Sequence, residues 1–201
     1  MEKTKIMKTA KIVDRIMKIL QGFAIAGMIV AAVLAVCTAF LGDKMIADAS
    51  VLKLGPAKLT LAGDMAEYLD RPWAIVSVFA DLAALFTVSL AAWFIMRALR
   101  GILAPMKEGG VFAEGASKNV RKLALAVLIG GGAAEFVSRI AYVIEFKAYN
   151  ADVIFNRAIV SAVDAGSRLS PWFLITAGIL FFLSYVFRCG EKLQKESDET
   201  L

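Results

Sequence analysis

The chain has 201 residues, of which 59% belong to the set AVILMFWYC and only 20% are charged; its mean hydropathy is +0.69. An ordinary globular protein is about 45–50% apolar even with glycine counted, so this composition excludes a soluble enzyme, a coiled coil and a disordered segment. Histidine is absent, which removes His-based triads, His-ligated zinc sites and imidazole pH switches, and the net charge of +5 matters here less than its distribution along the chain.

Crossing a hydrocarbon layer of about 30 Å takes about 20 helical residues. The first block long enough is Leu20–Leu41, without a single charge. Its basic lead resembles a secretory signal, but the block exceeds the usual apolar region of about 7–15 residues. Val36 before Cys37 is also not the small residue that lipoprotein processing requires, so the block is expected to persist as a helix. Gly27, Ala31, Ala35 and Ala39 recur every four positions and predict a smooth packing ridge. In residues 42–72, Val51–Leu54 and Leu59–Leu61 flank Gly55-Pro56 and read as a small hairpin.

The second block, Trp73–Met96, follows Pro72 and is interrupted only by Asp81. Residues 97–122 form a basic connection in which Pro105, Gly109 and Gly110 break the helix and Phe112 is placed to anchor the loop. The third block, Leu123–Ile144, contains Glu135 and Arg139. Its Gly130-Gly131-Gly132 run admits a close neighbour or, alternatively, acts as a hinge. In residues 145–171, Phe155, Ile159 and Val163 share one helical face, with Arg157, Ser161 and Asp164 on another. That pattern reads as an amphipathic helix cap or as a solvated loop. Pro171 precedes the fourth block, Trp172–Phe187, with aromatic residues near both ends. The polar tail, residues 188–201, reads as a helix end followed by a solvated segment.

The expected fold is therefore an all-α membrane protein, one domain over residues 1–201, built as a four-transmembrane-helix bundle. Orientation follows from the basic residues. Fifteen Lys and Arg lie in residues 1–19, 97–122 and 188–201, against seven in 42–72 and 145–171, where acidic residues match or outnumber them. Both termini are thus expected on the cytoplasmic side, with the hairpin and the amphipathic helix as extracellular caps. Cys37 and Cys189 would lie about 25 Å apart along the membrane normal and cannot pair within one chain.

Asp81, Glu135 and Arg139 carry the most information, because a charge at mid-bilayer costs at least about 2.5–3.5 kcal/mol and normally finds a partner. Glu135 and Arg139 are four residues apart with the acid first, the favourable order for a helical ion pair. Counting from the outer surface, Arg139 lies about 9 Å deep, Asp81 about 12 Å and Glu135 about 15 Å. Arg139 is therefore expected to bridge both acids. The cluster reads either as an interhelical clamp or as a polar pocket for a proton or cation.

Two segments carry a family resemblance. The tail residues Gly190, Leu193, Gln194, Asp198, Glu199, Thr200 and Leu201, with Gly110, Phe112, Val120 and Arg121 of the inner connection, resemble the bacterial membrane family catalogued as domain of unknown function 2975. Ala116 stands where that family often has Asn. The resemblance spans nearly the whole chain. It implies a four-helix protein of the bacterial cytoplasmic membrane without assigned chemistry, commonly encoded beside a Cro/C1-type helix-turn-helix regulator. A sensory or regulatory interaction protein that partners such a regulator is the first functional expectation; the chain itself is not expected to bind nucleic acid. The alternative is a small transporter or peptide-toxin immunity protein that uses the intramembrane charges and assembles as a homo-oligomer. No nucleophile–base pair, metal cluster, phosphate loop or Cys-x-x-Cys is present, so neither an enzyme nor a cofactor is expected.

Overall fold

A computed structural model describes residues 2–47, 51–54, 57–60, 71–107, 115–148 and 170–199. The elements are α1 (Glu2–Ala47), β1 (Val51–Leu54), β2 (Ala57–Thr60), α2 (Arg71–Met106), α3 (Ala116–Ala148) and α4 (Trp172–Glu199). All four helices are long and apolar enough to cross a membrane.

Each helix outruns its apolar block. The 46 residues of α1 measure about 69 Å, more than twice the hydrocarbon thickness. Its first turns belong to the helix because Lys, Ile and Met interleave at helical spacing and are adequate helix formers. Past Met96, α2 continues through Pro105 in its last turn, so the proline ends the helix rather than excluding the segment from it. Proline has no N–H to give the carbonyl four residues earlier, which is that of Gly101. Asn119 of α3 supplies the missing donor: its Nδ2 reaches the Gly101 carbonyl at 3.1 Å. At the helix end, the Lys107 N–H is shared between the Leu103 and Ala104 carbonyls, both at 3.3 Å. Gly115, with φ of +91°, makes the left-handed turn into α3 that a side chain would disfavour.

The strands pair antiparallel in the register Val51↔Thr60, Leu52↔Leu59, Lys53↔Lys58 and Leu54↔Ala57. The second strand thus begins at Ala57, two residues before the sequence pattern suggested, because only residues 55–56 separate the strands. The amphipathic segment expected around Phe155–Asp164 lies outside the described residues.

Burial runs opposite to that of a soluble protein. Ten of the twelve buried apolar residues among those described are alanines, with Val120 and Leu123 the exceptions, while Phe23 is 70% exposed and Phe40 83%. Large apolar side chains facing outward in this way suit a surface covered by lipid or by another protein. Small residues inside let backbones approach, which is how helices gain contact when lipid removes the hydrophobic drive between them. On α1 the expected four-residue ridge holds at Gly27, which packs against Ser89, and at Ala31, but the buried positions as a whole follow a seam of period 3.5. Ala10, Asp14, Ala24, Ala31 and Thr38 are buried and Ala39 is exposed. An i+4 row drifts around a helix of 3.6 residues per turn, whereas alternating three- and four-residue steps stay on one face.

The described chain divides into two compact units. One contains the N-terminal part of α1 to Gly27, Thr87–Ala134 and Ser170–Leu201; the other contains Met28–Phe86 and Glu135–Leu169. In the first, the glycine run of α3 serves two neighbours. A Cβ on Gly130 would meet the Cβ of Ala91 on α2 at 3.0 Å, and one on Gly131 would meet the Cβ of Phe173 on α4 at 2.6 Å. Helix α3 passes through the run unbroken, with these glycines packed against α2 and α4.

Candidate functional site

In the second unit, Arg139 donates from Nε and from Nη2 to Oε1 of Glu135, both at 3.2 Å. Successive turns of α3 bring the two side chains together, and both keep about a quarter of their surface, 27% and 25%. Asp81 lies on α2, on a face that is exposed in the isolated chain. At the ends of α2 and α3 in this unit, the Lys147 ammonium sits 5.6 Å from the centre of the Trp73 ring, a cation–π contact.

The first unit holds two polar clusters that join the chain's cationic segments. The first is centred on Asp14 of α1, whose side chain is only 10% exposed. Arg100 of α2 donates from Nε to Asp14 Oδ1 at 3.0 Å, and Lys107, just past α2, places Nζ 2.6 Å from Oδ2. Lys18 follows at 3.9 Å, one turn along α1. Arg100 also donates from Nη1 to Gln21 Oε1 at 2.8 Å. One carboxylate thus collects cations from three places along the chain, and charge-assisted hydrogen bonds of this length are among the stronger ones proteins make.

Charge counting passes over Asp14 because it lies in a lead dominated by lysine. The signal was nonetheless there: Asp14 falls on the same 3.5-residue seam as Ala10, Gln21 and Ala24, and an acid on a buried seam facing basic neighbours needs a cation.

The second cluster ties the tail to the inner connection. Glu191, near the end of α4, accepts the Ser117 backbone N–H at Oε1 and the Ser117 hydroxyl at Oε2, both at 2.8 Å. Ser117 stands in the first turn of α3, where backbone donors lack helical partners and the helix dipole favours an anion. The Ser184 hydroxyl of α4 completes the join by donating to the Ser117 carbonyl at 2.9 Å. The sequence reading of a solvated tail holds for Lys192, Leu193 and Glu196, which are exposed, but not for Glu191. Helix α4 continues to Glu199, and Glu191 serves as a cap for α3.

Of the residues singled out in the sequence, Arg121 is exposed on α3 and Gly190 lies within α4, where a Cβ would meet nothing within 4 Å. Leu193 is 67% exposed, and Gln194, Asp198 and Glu199 continue the same helix. Gly109, Gly110, Phe112, Thr200 and Leu201 lie outside the described residues. Both cysteines are free thiols, Cys37 half-buried and Cys189 exposed. Among the described residues no group of three or more Cys, Asp or Glu is placed to hold a metal ion. Both clusters join segments far apart in the sequence through hydrogen bonds and ion pairs. What they can do is transmit a displacement, because moving the tail shifts the first turn of α3, and moving the α2 end shifts α1.

No protein-family model, no curated protein and no solved structure matches the chain.

Proposed function

We propose that this multi-pass membrane protein is a sensory or regulatory interaction protein. Its termini and its α2–α3 connection face the cytoplasm, and the connection and tail together hold or release a helix-turn-helix regulator. The observation that carries the reading is the Glu191–Ser117 clamp, which joins the two segments on which the resemblance to the domain of unknown function 2975 rests. A partner that engages the acidic end of the tail would pull on the start of α3 through that clamp. Such an acidic end has the charge to compete with phosphate for a basic DNA-reading surface. The excess of Lys and Arg in residues 1–19, 97–122 and 188–201 supports the orientation.

Co-purification tests the proposal. The full chain, expressed with a Cro/C1-type regulator of the kind the resemblance implies, should retain that regulator in detergent. A chain ending at Lys195 keeps Glu191 in place and should lose the regulator, because the acidic stretch is gone. Equal retention by the shortened chain would refute the reading.

A second reading rests on the Glu135–Arg139 pair, which is only partly covered. With Asp81 it would form an intramembrane charged pocket serving a transporter or an immunity protein, assembled from more than one copy. Loss of transport or immunity in Asp81→Asn and Glu135→Gln, with folding and expression unchanged, is its expected mark; unchanged transport and immunity in both variants would remove it.

A further inference from the structure

Two adjoining hollows lie between α2 and α3 in the first unit. The larger, about 320 Å³, is lined by Leu90, Phe94, Leu125 and Ile129, over a floor where Ala91 and Gly130 bring the helices together. The smaller, about 270 Å³, is lined by Arg97, Gly101, Asn119 and Lys122. Phe94 and Ala126 line both, so they form one groove with an apolar end and a cationic end. Among the described residues, no acidic side chain lines either part. Arg97 is held at the mouth by stacking over Trp93, its guanidinium carbon 5.3 Å from the ring centre.

We infer that this groove binds an anionic phospholipid, with the phosphate between Arg97 and Lys122 and one acyl chain along the apolar floor. Three observations select that occupant. The cations sit at the ends of the apolar blocks Trp73–Met96 and Leu123–Ile144, where headgroups lie. From Arg97 to Thr87, at the far end of the groove, the helix rises about 15 Å, close to half the hydrocarbon thickness and so to one leaflet. Two cations lining a groove that has no acid among its described residues suit a headgroup of net negative charge, whereas a zwitterionic headgroup brings an ammonium with no carboxylate in that lining to meet. Basic pockets between membrane helices bind anionic headgroups in this way. A free phosphate would leave the apolar end empty. A second copy of the same face would set cations against cations.

The inference is independent of any protein partner and is tested on the full chain in detergent after delipidation. Native mass spectrometry reads lipid retention during titration with phosphatidylglycerol or phosphatidylcholine. Phosphatidylglycerol should be preferred, and the combined Arg97→Gln and Lys122→Gln variant should weaken its binding at least about tenfold. Arg97→Lys with Lys122→Arg should retain binding, which separates charge from misfolding. Lys11→Gln with Arg15→Gln removes the same charge from exposed positions on α1 that line neither hollow, and should change little. Ala126→Phe should block the acyl end and reduce retention without altering the oligomeric mass. Equal binding of the two lipids, an equal loss in the α1 control, or displacement of the lipid by excess inorganic phosphate would each overturn the inference. So would a change of oligomeric mass in Ala126→Phe, because that would seat a second copy in the groove.

Discussion

Removing Glu191 tests whether the tail is structurally part of the molecule. Its carboxylate accepts two hydrogen bonds at 2.8 Å, one from the Ser117 N–H and one from the Ser117 hydroxyl. Hydrogen bonds to charged groups contribute about 1.5–3 kcal/mol, and loss of a helix N-cap costs about 0.5–2 kcal/mol. The site is only partly buried, so Glu191→Ala should cost about 2 kcal/mol, most of it from the stranded first-turn donor. Ser117→Ala keeps the backbone bond and loses only the hydroxyl leg, about 1 kcal/mol. The double variant should therefore cost less than the two singles together, with a coupling of about 1 kcal/mol. Glu191→Gln retains an acceptor and should fall between Glu191→Ala and the parent. Denaturant titration of the full chain in mixed micelles gives the cycle, and hydrogen exchange locates it. At a factor of ten per 1.4 kcal/mol, first-turn amides of α3 should exchange about 25-fold faster in Glu191→Ala. Additive single effects, or unchanged exchange at Ser117, would refute the clamp.

Asp14→Asn keeps the shape and removes the charge that holds Lys107 and Arg100, so trypsin should cut after Lys107 several times faster while cleavage after Lys195 is unchanged. Asn119→Ala strands the Gly101 carbonyl that Pro105 cannot serve. The expected cost is about 1–3 kcal/mol, and Ala in place of Pro105 should restore most of it by returning the missing N–H. Gly131→Ala would drive a Cβ to 2.6 Å from that of Phe173 and should cost about 1–3 kcal/mol for overpacking. Gly178→Ala meets nothing within 4 Å and should stabilise α4 by up to about 1 kcal/mol through helix propensity. Melting of the two glycine variants in the same detergent shows whether the signs are opposite.

The four membrane-length helices could be read from the chain because the cost of placing a residue in lipid is local and sums along a segment, so unbroken apolar runs show themselves. The hairpin was visible for a similar reason, since alternation and a Gly-Pro turn lie within ten residues. The Glu135–Arg139 pair also depends only on helical spacing. What could not be read is the pairing of Asp14 with Arg100, 86 positions apart, or of Ser117 with Glu191, 74 apart. Nothing local marks these partners. Glu191 was missed for the same reason: it looks like one of the tail's exposed charges until the start of α3 is set beside it.

Composition and spacing alone decided the four membrane-length apolar blocks, the hairpin and the near neighbours on each helix face. Only the tertiary structure decided that an aspartate in a basic lead would gather the end of α2, that an asparagine would repair the gap left by a proline, and that a tail carboxylate would cap α3. Those choices follow from which faces meet when small residues let long helices close together. The free energy of a buried polar group depends on what stands opposite it, and its own position in the chain does not say what that is.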